Sequence, residues 1–301
     1  MDFLISGQHI NVFYLIGIGF VIGVLGGFFG VGGSFLAGPA LFAVGMPMNM
    51  VVGTDLAHIV GKSIVATKKH HSLGHVDMKL AWIMVIGTVI GTEAGAQSIQ
   101  VLKEQGSVDF VVGAVMVVVL VGISAFVTWE GVRTMEIRRK RKRKKQDESA
   151  FSHVAKKIQG IRIWPNIHLP KADIHHSVWV ILIVSFVCGI FSGFLGGGAG
   201  YVRMPSMVYL LGIPTHIAVG TDLFEVMISA GYGTLTHAAK GNVDILVALV
   251  MHTGAAIGAQ TGAVFTERFS GPKIRLAFVP LPLMGAAVII YKLLSGQQVA
   301  K

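Results

Sequence analysis

One cysteine occurs in 301 residues, and only 13% of the chain is charged. The lone thiol, Cys188, leaves no partner for a disulfide and no basis for a cysteine metal site. So little charge, beside a hydrophobic share of 53% and a mean hydropathy of +0.69, excludes an ordinary soluble domain. The opening "MDFLISGQHINVFY" lacks a basic n-region and a small-residue cleavage site, so the first apolar segment is expected to stay in the protein. There is no H-E-x-x-H and no serine set among histidine and aspartate as an activated nucleophile, which argues against an intramembrane enzyme. The glycine-rich runs are preceded by no strand, so a dinucleotide fingerprint is a poor reading of them.

What the chain does have is long apolar runs. About 18 residues or more are needed to cross roughly 30 Å of hydrocarbon. Such runs recur at Val12–Phe28, Val51–Thr67, Leu80–Ile99, Phe110–Trp129, Val178–Phe194, Ala218–Thr236, Ile245–Phe265 and Leu276–Leu293. Shorter runs at Val31–Val44 and Gly197–Leu211 follow the first run of each half. The pattern predicts an all-α polytopic membrane protein.

The formal charge of +10 is concentrated. Residues 130–176 hold 13 Lys/Arg against 5 Asp/Glu, and "RRKRKRKK" (Arg138–Lys145) follows directly on an apolar run. Positive-inside bias places this linker in the cytoplasm, where contact with anionic lipid head groups is a natural further role. Nucleic acid is not implied, because no recognition fold accompanies the basic run. The later stretch "GIRIWPNIHLPKADIHH" is expected to lie along the membrane face as a short ordered piece.

The most specific signal is internal repetition. "GFFGVGGSFLAGP" (Gly27–Pro39) matches "GFLGGGAGYVRMP" (Gly193–Pro205) at an offset of 166. At an offset of 167, "VGTDL" (Val52–Leu56) recurs at Val219–Leu223, His70 matches His237, and "GHVD" (Gly74–Asp77) matches "GNVD" (Gly241–Asp244). Gly87, Gly91 and Gly95 match Gly254, Gly258 and Gly262 at the same offset. The basic loop changes place between the halves: "KKHHSLGHVDMK" in the first, and "ERFSGPKIR" with Arg268, Lys273 and Arg275 in the second. The expectation is two inverted-topology repeats of about five helical segments each, with glycine-broken helices near the midplane. Residues 1–129 form one membrane repeat, 130–176 the linker and 177–301 the other repeat.

Glycine breaks at matching positions point to a transporter's central site. Gly30, Gly32 and Gly33 in one half, and Gly196, Gly197, Gly198 and Gly200 in the other, allow the backbone to approach a substrate. The helix start that follows each break carries a partial positive charge. Arg203 lies in the same run, where the other half has Ala37, and its forked guanidinium suits an oxyanion. The G-x3-G-x3-G series is read as close helix packing. Ionisable residues in apolar runs are costly and default to function: Asp55, Lys62, Glu93, Asp222 and Glu225. His58 is three residues from Asp55, and Glu225 three from Asp222, so each pair shares a helix face, with Lys62 two turns beyond Asp55. Coupling and gating are assigned to Asp55, His58, Lys62, Asp222 and Glu225. His70, His71 and His75 invite a metal reading. Because His237 repeats His70, a helix-end structural role is preferred, and no metal or cofactor is assigned.

The broken helix followed by Pro, the doubled "VGTDL", the "G-x-V-D" loop, the G-x3-G-x3-G helix and "KIRLAF" together resemble the sulfite exporter TauE/SafE family of membrane permeases, across both halves. Asp55 and Asp222 stand where that family more often has serine, and the linker is longer than its minimal pattern. The resemblance implies transport of a small sulfur-containing anion, such as sulfite or a sulfonate, across a bacterial-type inner membrane. Alternating access of one repeat against the other would drive it, with the glycines and Arg203 on the anion. A cation or divalent-metal carrier using the buried Asp, Glu and His groups is the alternative. A sensor or scaffold acting through the basic linker is a further one. Oligomeric state is not legible.

Overall fold

The computed structural model describes residues 2–5, 8–30, 34–144, 163–266 and 277–295, with residues 155, 158, 160, 268, 269 and 274 between them. Ten α-helices occur among the described residues, five in each half, and the only strands there form two short antiparallel hairpins. In the first half the helices are α1 Val12–Phe29, α2 Ser34–Ala43, α3 Met48–Ser72, α4 Met78–Glu104 and α5 Val108–Lys144. In the second they are α6 Val178–Leu195, α7 Gly200–Tyr209, α8 Thr215–Ala239, α9 Ile245–Thr266 and α10 Pro280–Leu294.

Among the described residues five helical stretches are long and apolar enough to cross a membrane: α1, α4, α6, α9 and Val108–Trp129 of α5. The protein is a multi-pass membrane protein. α3 and α8 have 25 residues each but carry the ionisable groups, which lowers their hydropathy. α2 and α7 have ten residues each, about 15 Å of helix, half of what a full crossing needs. α5 does not end at Trp129. It runs on through the basic stretch to Lys144, because Lys and Arg are good helix formers and no glycine or proline follows Gly131 within it. Lys145 lies outside the described residues.

The glycine series explains which helices touch. A Cβ on Gly19, Gly23 or Gly27 of α1 would overlap the backbone of Met251, Ala255 or Ala259 of α9, and one on Gly254, Gly258 or Gly262 would overlap α1 in return. Gly87, Gly91 and Gly95 of α4 meet Ser185, Phe186 and Ile190 of α6 in the same manner. In both contacts residue numbers rise together, so α1 is parallel to α9 and α4 to α6. With no hydrophobic driving force in lipid, such backbone proximity supplies the association through dispersion contacts. The first helix of each half thus packs on the fourth helix of the other. The α1 stripe Gly19-x3-Gly23-x3-Gly27 was readable in the sequence by the same rule.

Two pairs of repeat-equivalent helices cross antiparallel. Gly53 lies against Asn242 and His237, and Gly233 against Leu56, so α3 and α8 cross head to tail. Gly113 of α5 faces Ile289 and Leu293 of α10, whereas Ser124 hydrogen-bonds Val279 O, so this pair is antiparallel too.

The motifs "VGTDL" and "G-x-V-D" prove to be two sides of one contact, made twice. Asp77 N–H donates to Thr221 Oγ1, and Asp244 N–H donates to Thr54 Oγ1, each at 2.9 Å. Both aspartates also cap a helix: Asp77 Oδ1 accepts from Leu80 N–H, and Asp244 Oδ1 from Val247 N–H, at 3.1 Å. Residues Asn166–Leu169 and Ile174–Ser177 form an antiparallel hairpin ahead of α6, whose turn is tied down by Lys171 N–H on Asp77 Oδ2 at 3.1 Å. Beside it His176 is buried, and its Nε2–H donates to Leu211 O at 2.6 Å. Burial pushes the His176 pKa below the ordinary histidine value, against the opposing pull of that hydrogen bond.

Candidate functional site

Each first helix ends at a glycine in the left-handed region, as a sharp stop requires: Gly30 at φ 75 and Gly196 at φ 79. A Cβ on Gly30 would come within 2.6 Å of Val219 Cα, and one on Gly196 within 2.9 Å of Val52 Cα. Each break is therefore seated on the "VGTDL" segment of the opposite half. Gly32 and Gly33 lie outside the described residues. In the second half Gly197, Gly198 and Ala199 continue with positive φ, and Gly200 opens α7.

Arg203 lies in the first turn of α7 and is fully buried. Its Nε donates to Asp222 Oδ1, its Nη1 pairs with Glu225 Oε2, and its Nη2 donates to Gly198 O at 2.6 Å. Asp222 and Glu225, one turn apart on α8, are fully buried as well. The run of positive φ thus has a local purpose: it turns the Gly198 carbonyl onto the guanidinium, while Val226 fills the place a side chain at 198 would need. Two nitrogens of Arg203 are hydrogen-bonded within the protein, and the third, Nη1, is held by its ion pair with Glu225. One cation faces two carboxylates, so the cluster carries a net charge of −1 when all three are ionised.

The equivalent face of α3 is built differently. Asp55, His58 and Lys62 are all buried, and His58 Nδ1 lies 3.4 Å from Asp55 Oδ1. An offset of 167 sets His58 where the other half has Glu225, and Lys62 where it has Ser229. Asp55 has no ion pair to Lys62 or Arg203 within 4 Å. Lys62 Nζ has no hydrogen-bond partner among the described residues. The same holds for His58 Nε2, for Nδ1 of His252 on α9, and for the hydroxyl of buried Tyr201. Tyr201 lies within the repeated glycine-break motif, where the other half has Phe35, and His252 stands where the other half has Val85, so in both places a polar side chain replaces an apolar one, a signal that only the aligned repeat could have raised.

Glu93, grouped in the sequence with the buried ionisable residues, is instead partly exposed. It accepts hydrogen bonds from Gln97 at 2.6 Å and from Tyr232 and Thr236 at 3.0 Å, between α4 and α8. The reason is its position on α4, beside the Thr92 and Gly95 face that meets α6 and α8.

Of the candidate metal histidines, His70 and His75 stay together and His71 turns away. His70 is buried with Nε2 on Gly27 O at 3.0 Å, and its repeat partner His237 meets Gly193 O at 3.0 Å. His71 is exposed, and His75 stands 3.3 Å from His70 Nδ1. Among the described residues no three His, Cys, Asp or Glu side chains come together as a metal-binding group.

Comparison with known proteins adds a family match: the sulfite exporter TauE/SafE family matches residues 15–289. A probable membrane transporter protein, YunE of Bacillus subtilis, is 24% identical over 284 residues, covering 91% of this chain and 96% of its own. One of Xylella fastidiosa is 25% identical over 280 residues, covering 91% and 90%. A third, MJ0441 of Methanocaldococcus jannaschii, is 23% identical over 288 residues, covering 87% and 89%. No solved structure matches the chain.

Proposed function

The chain belongs to the sulfite exporter TauE/SafE family of membrane transporters, and from that premise we propose that it is a proton-coupled secondary transporter of a small sulfur-containing anion such as sulfite or a sulfonate. The halves act as inverted repeats and exchange access by moving against each other, a reading supported by the antiparallel crossings of α3 with α8 and of α5 with α10. The linker, with Arg138–Lys145, faces the cytoplasm of a bacterial-type cell and meets anionic lipid.

One observation carries the coupling: two buried carboxylates share one arginine. An uncompensated charge in this setting costs several kcal/mol. Binding one proton at the Asp222–Glu225 pair makes the cluster neutral, and its loss restores the charge. A site with two charge states, placed where the glycine break of one half meets α8, is suited to bias the transporter between conformations.

The test is flux of sulfite in proteoliposomes, with and without an imposed pH gradient. Gradient-dependent flux that becomes gradient-independent in Glu225→Gln is the expected result. Flux of the same size with and without the gradient in the unaltered protein would overturn the coupling. The excess negative charge also favours a cation as cargo. Flux of a divalent metal in place of sulfite would select that reading.

A further inference from the structure

The two buried clusters differ in charge, −1 at Arg203, Asp222 and Glu225 against zero for Asp55 with Lys62, and this divides their labour. At Arg203 two nitrogens are hydrogen-bonded, Nη1 is ion-paired to Glu225, and the excess charge is negative. On α3, Lys62 is a buried amino group, a donor with no acceptor within bonding distance among the described residues. Its nearest carboxylate, Asp55, is engaged by His58. Gly61, beside Lys62, lies against the His252 ring of α9, which a Cβ there would meet at 2.2 Å, and Tyr201 lies in the first turn of α7, just after the Gly196 break that rests on Val52, one turn before Asp55. The Tyr201 hydroxyl and His252 Nδ1 are unpartnered as well. His252 is only partly buried, so the cluster reaches the edge of the bundle at that residue.

Buried polar groups are nearly always satisfied, and several unsatisfied ones together call for an explanation. Resting on the transport reading above, we propose that the anion is held in the first half by Lys62, with Tyr201 and His252 as neutral donors, and that Arg203 does not contact it. Asp55 and its partner His58 flank this site, and the Asp55 charge offsets Lys62 when the site is empty. An oxyanion entering at Lys62 meets a donor-rich cluster. At Arg203 it would have to displace a carboxylate and then sit beside the other. The inverted repeat is thus chemically asymmetric, with substrate on the α3 side and the driving proton on the α8 side.

The test uses the purified full chain in detergent, with sulfite, methanesulfonate and sulfoacetate as probes and thermal-shift titration as readout. Lys62→Met, which keeps the length and removes the charge, should weaken binding of the best probe by about 10- to 100-fold, the range for a charged hydrogen bond. Lys62→Arg should recover part of it, and Tyr201→Phe should lose about 3- to 10-fold. Unchanged affinity in Lys62→Met would overturn the assignment while leaving the transport reading in place. Wild-type protein that binds none of the three probes would overturn both. If Lys62→Met does not fold, Tyr201→Phe, which deletes one hydroxyl, decides by the same two outcomes.

Discussion

Replacing Arg203 by Met removes a cation that two buried carboxylates and one carbonyl depend on. Removing one partner of a buried ion pair costs about 3–5 kcal/mol, because the remaining charge stays in a medium of low polarity. The Gly198 carbonyl, left without its donor, adds about 1 kcal/mol. The single variant should therefore lose about 4–6 kcal/mol, a large part of the 5–15 kcal/mol typical of a folded protein. Replacing the whole charged set by neutral groups of similar size is often neutral in stability. Arg203→Met combined with Asp222→Asn and Glu225→Gln should thus recover most of the loss. The assay is unfolding in mixed micelles by increasing SDS, followed by circular dichroism. A single variant as stable as the wild type would refute the buried-charge account. So would a neutralised triple variant no more stable than the single one.

Three further outcomes follow from packing, motif and pH. Gly19→Ala should destabilise, since its Cβ would overlap the Met251 backbone, whereas Gly17→Ala two residues away meets open space and should be neutral or gain up to about 1 kcal/mol; the SDS midpoints of the two variants, compared side by side, check this. Thr221→Val leaves the buried Asp77 N–H unsatisfied and should cost about 1–3 kcal/mol, more than Thr54→Val, whose partner at Asp244 is only partly buried; equal midpoints for the two valine variants would contradict the ordering. Burial lowers the His176 pKa in the fold, so the unfolded chain takes up more protons than the folded one as pH falls below the ordinary value of 6.5, and stability drops with it. Thermal melting at pH 7.5 and 5.5 should show a larger acid loss in wild type than in His176→Gln, measured against its own pH 7.5 value.

The repeat made most of the fold legible. Five segments per half, the shortness of the second, and the packing use of Gly87, Gly91 and Gly95 all follow from spacing, because helix length and close approach are local properties of the sequence. The end of α5 did not: membrane composition stops at Trp129, but helix propensity does not, and the helix continues to Lys144. Glu93 escaped for a related reason. Its apolar neighbours mark a membrane run, but which way a residue faces depends on where α6 and α8 lie, and those contacts are more than 80 residues away in the chain.

Within the site, the sequence named the ionisable residues but not their pairing. Asp55 and Asp222 are equivalent by repeat, yet one is engaged by His58 and the other by Arg203. The difference arises from substitutions at three other matched positions: Ala37 against Arg203, His58 against Glu225, and Lys62 against Ser229. Each moves charge from one half to the other. Together they leave the buried amino group of Lys62 near α9 and a lone excess carboxylate beside α7. A duplicated transporter whose halves were chemically alike would have to bind substrate and driving ion with the same groups. Here the backbone framework is repeated while the charges are not. Under the proposed function, a common pair of helix breaks responds to an anion on one side and a proton on the other, coupled through the "VGTDL" segments on which both breaks rest.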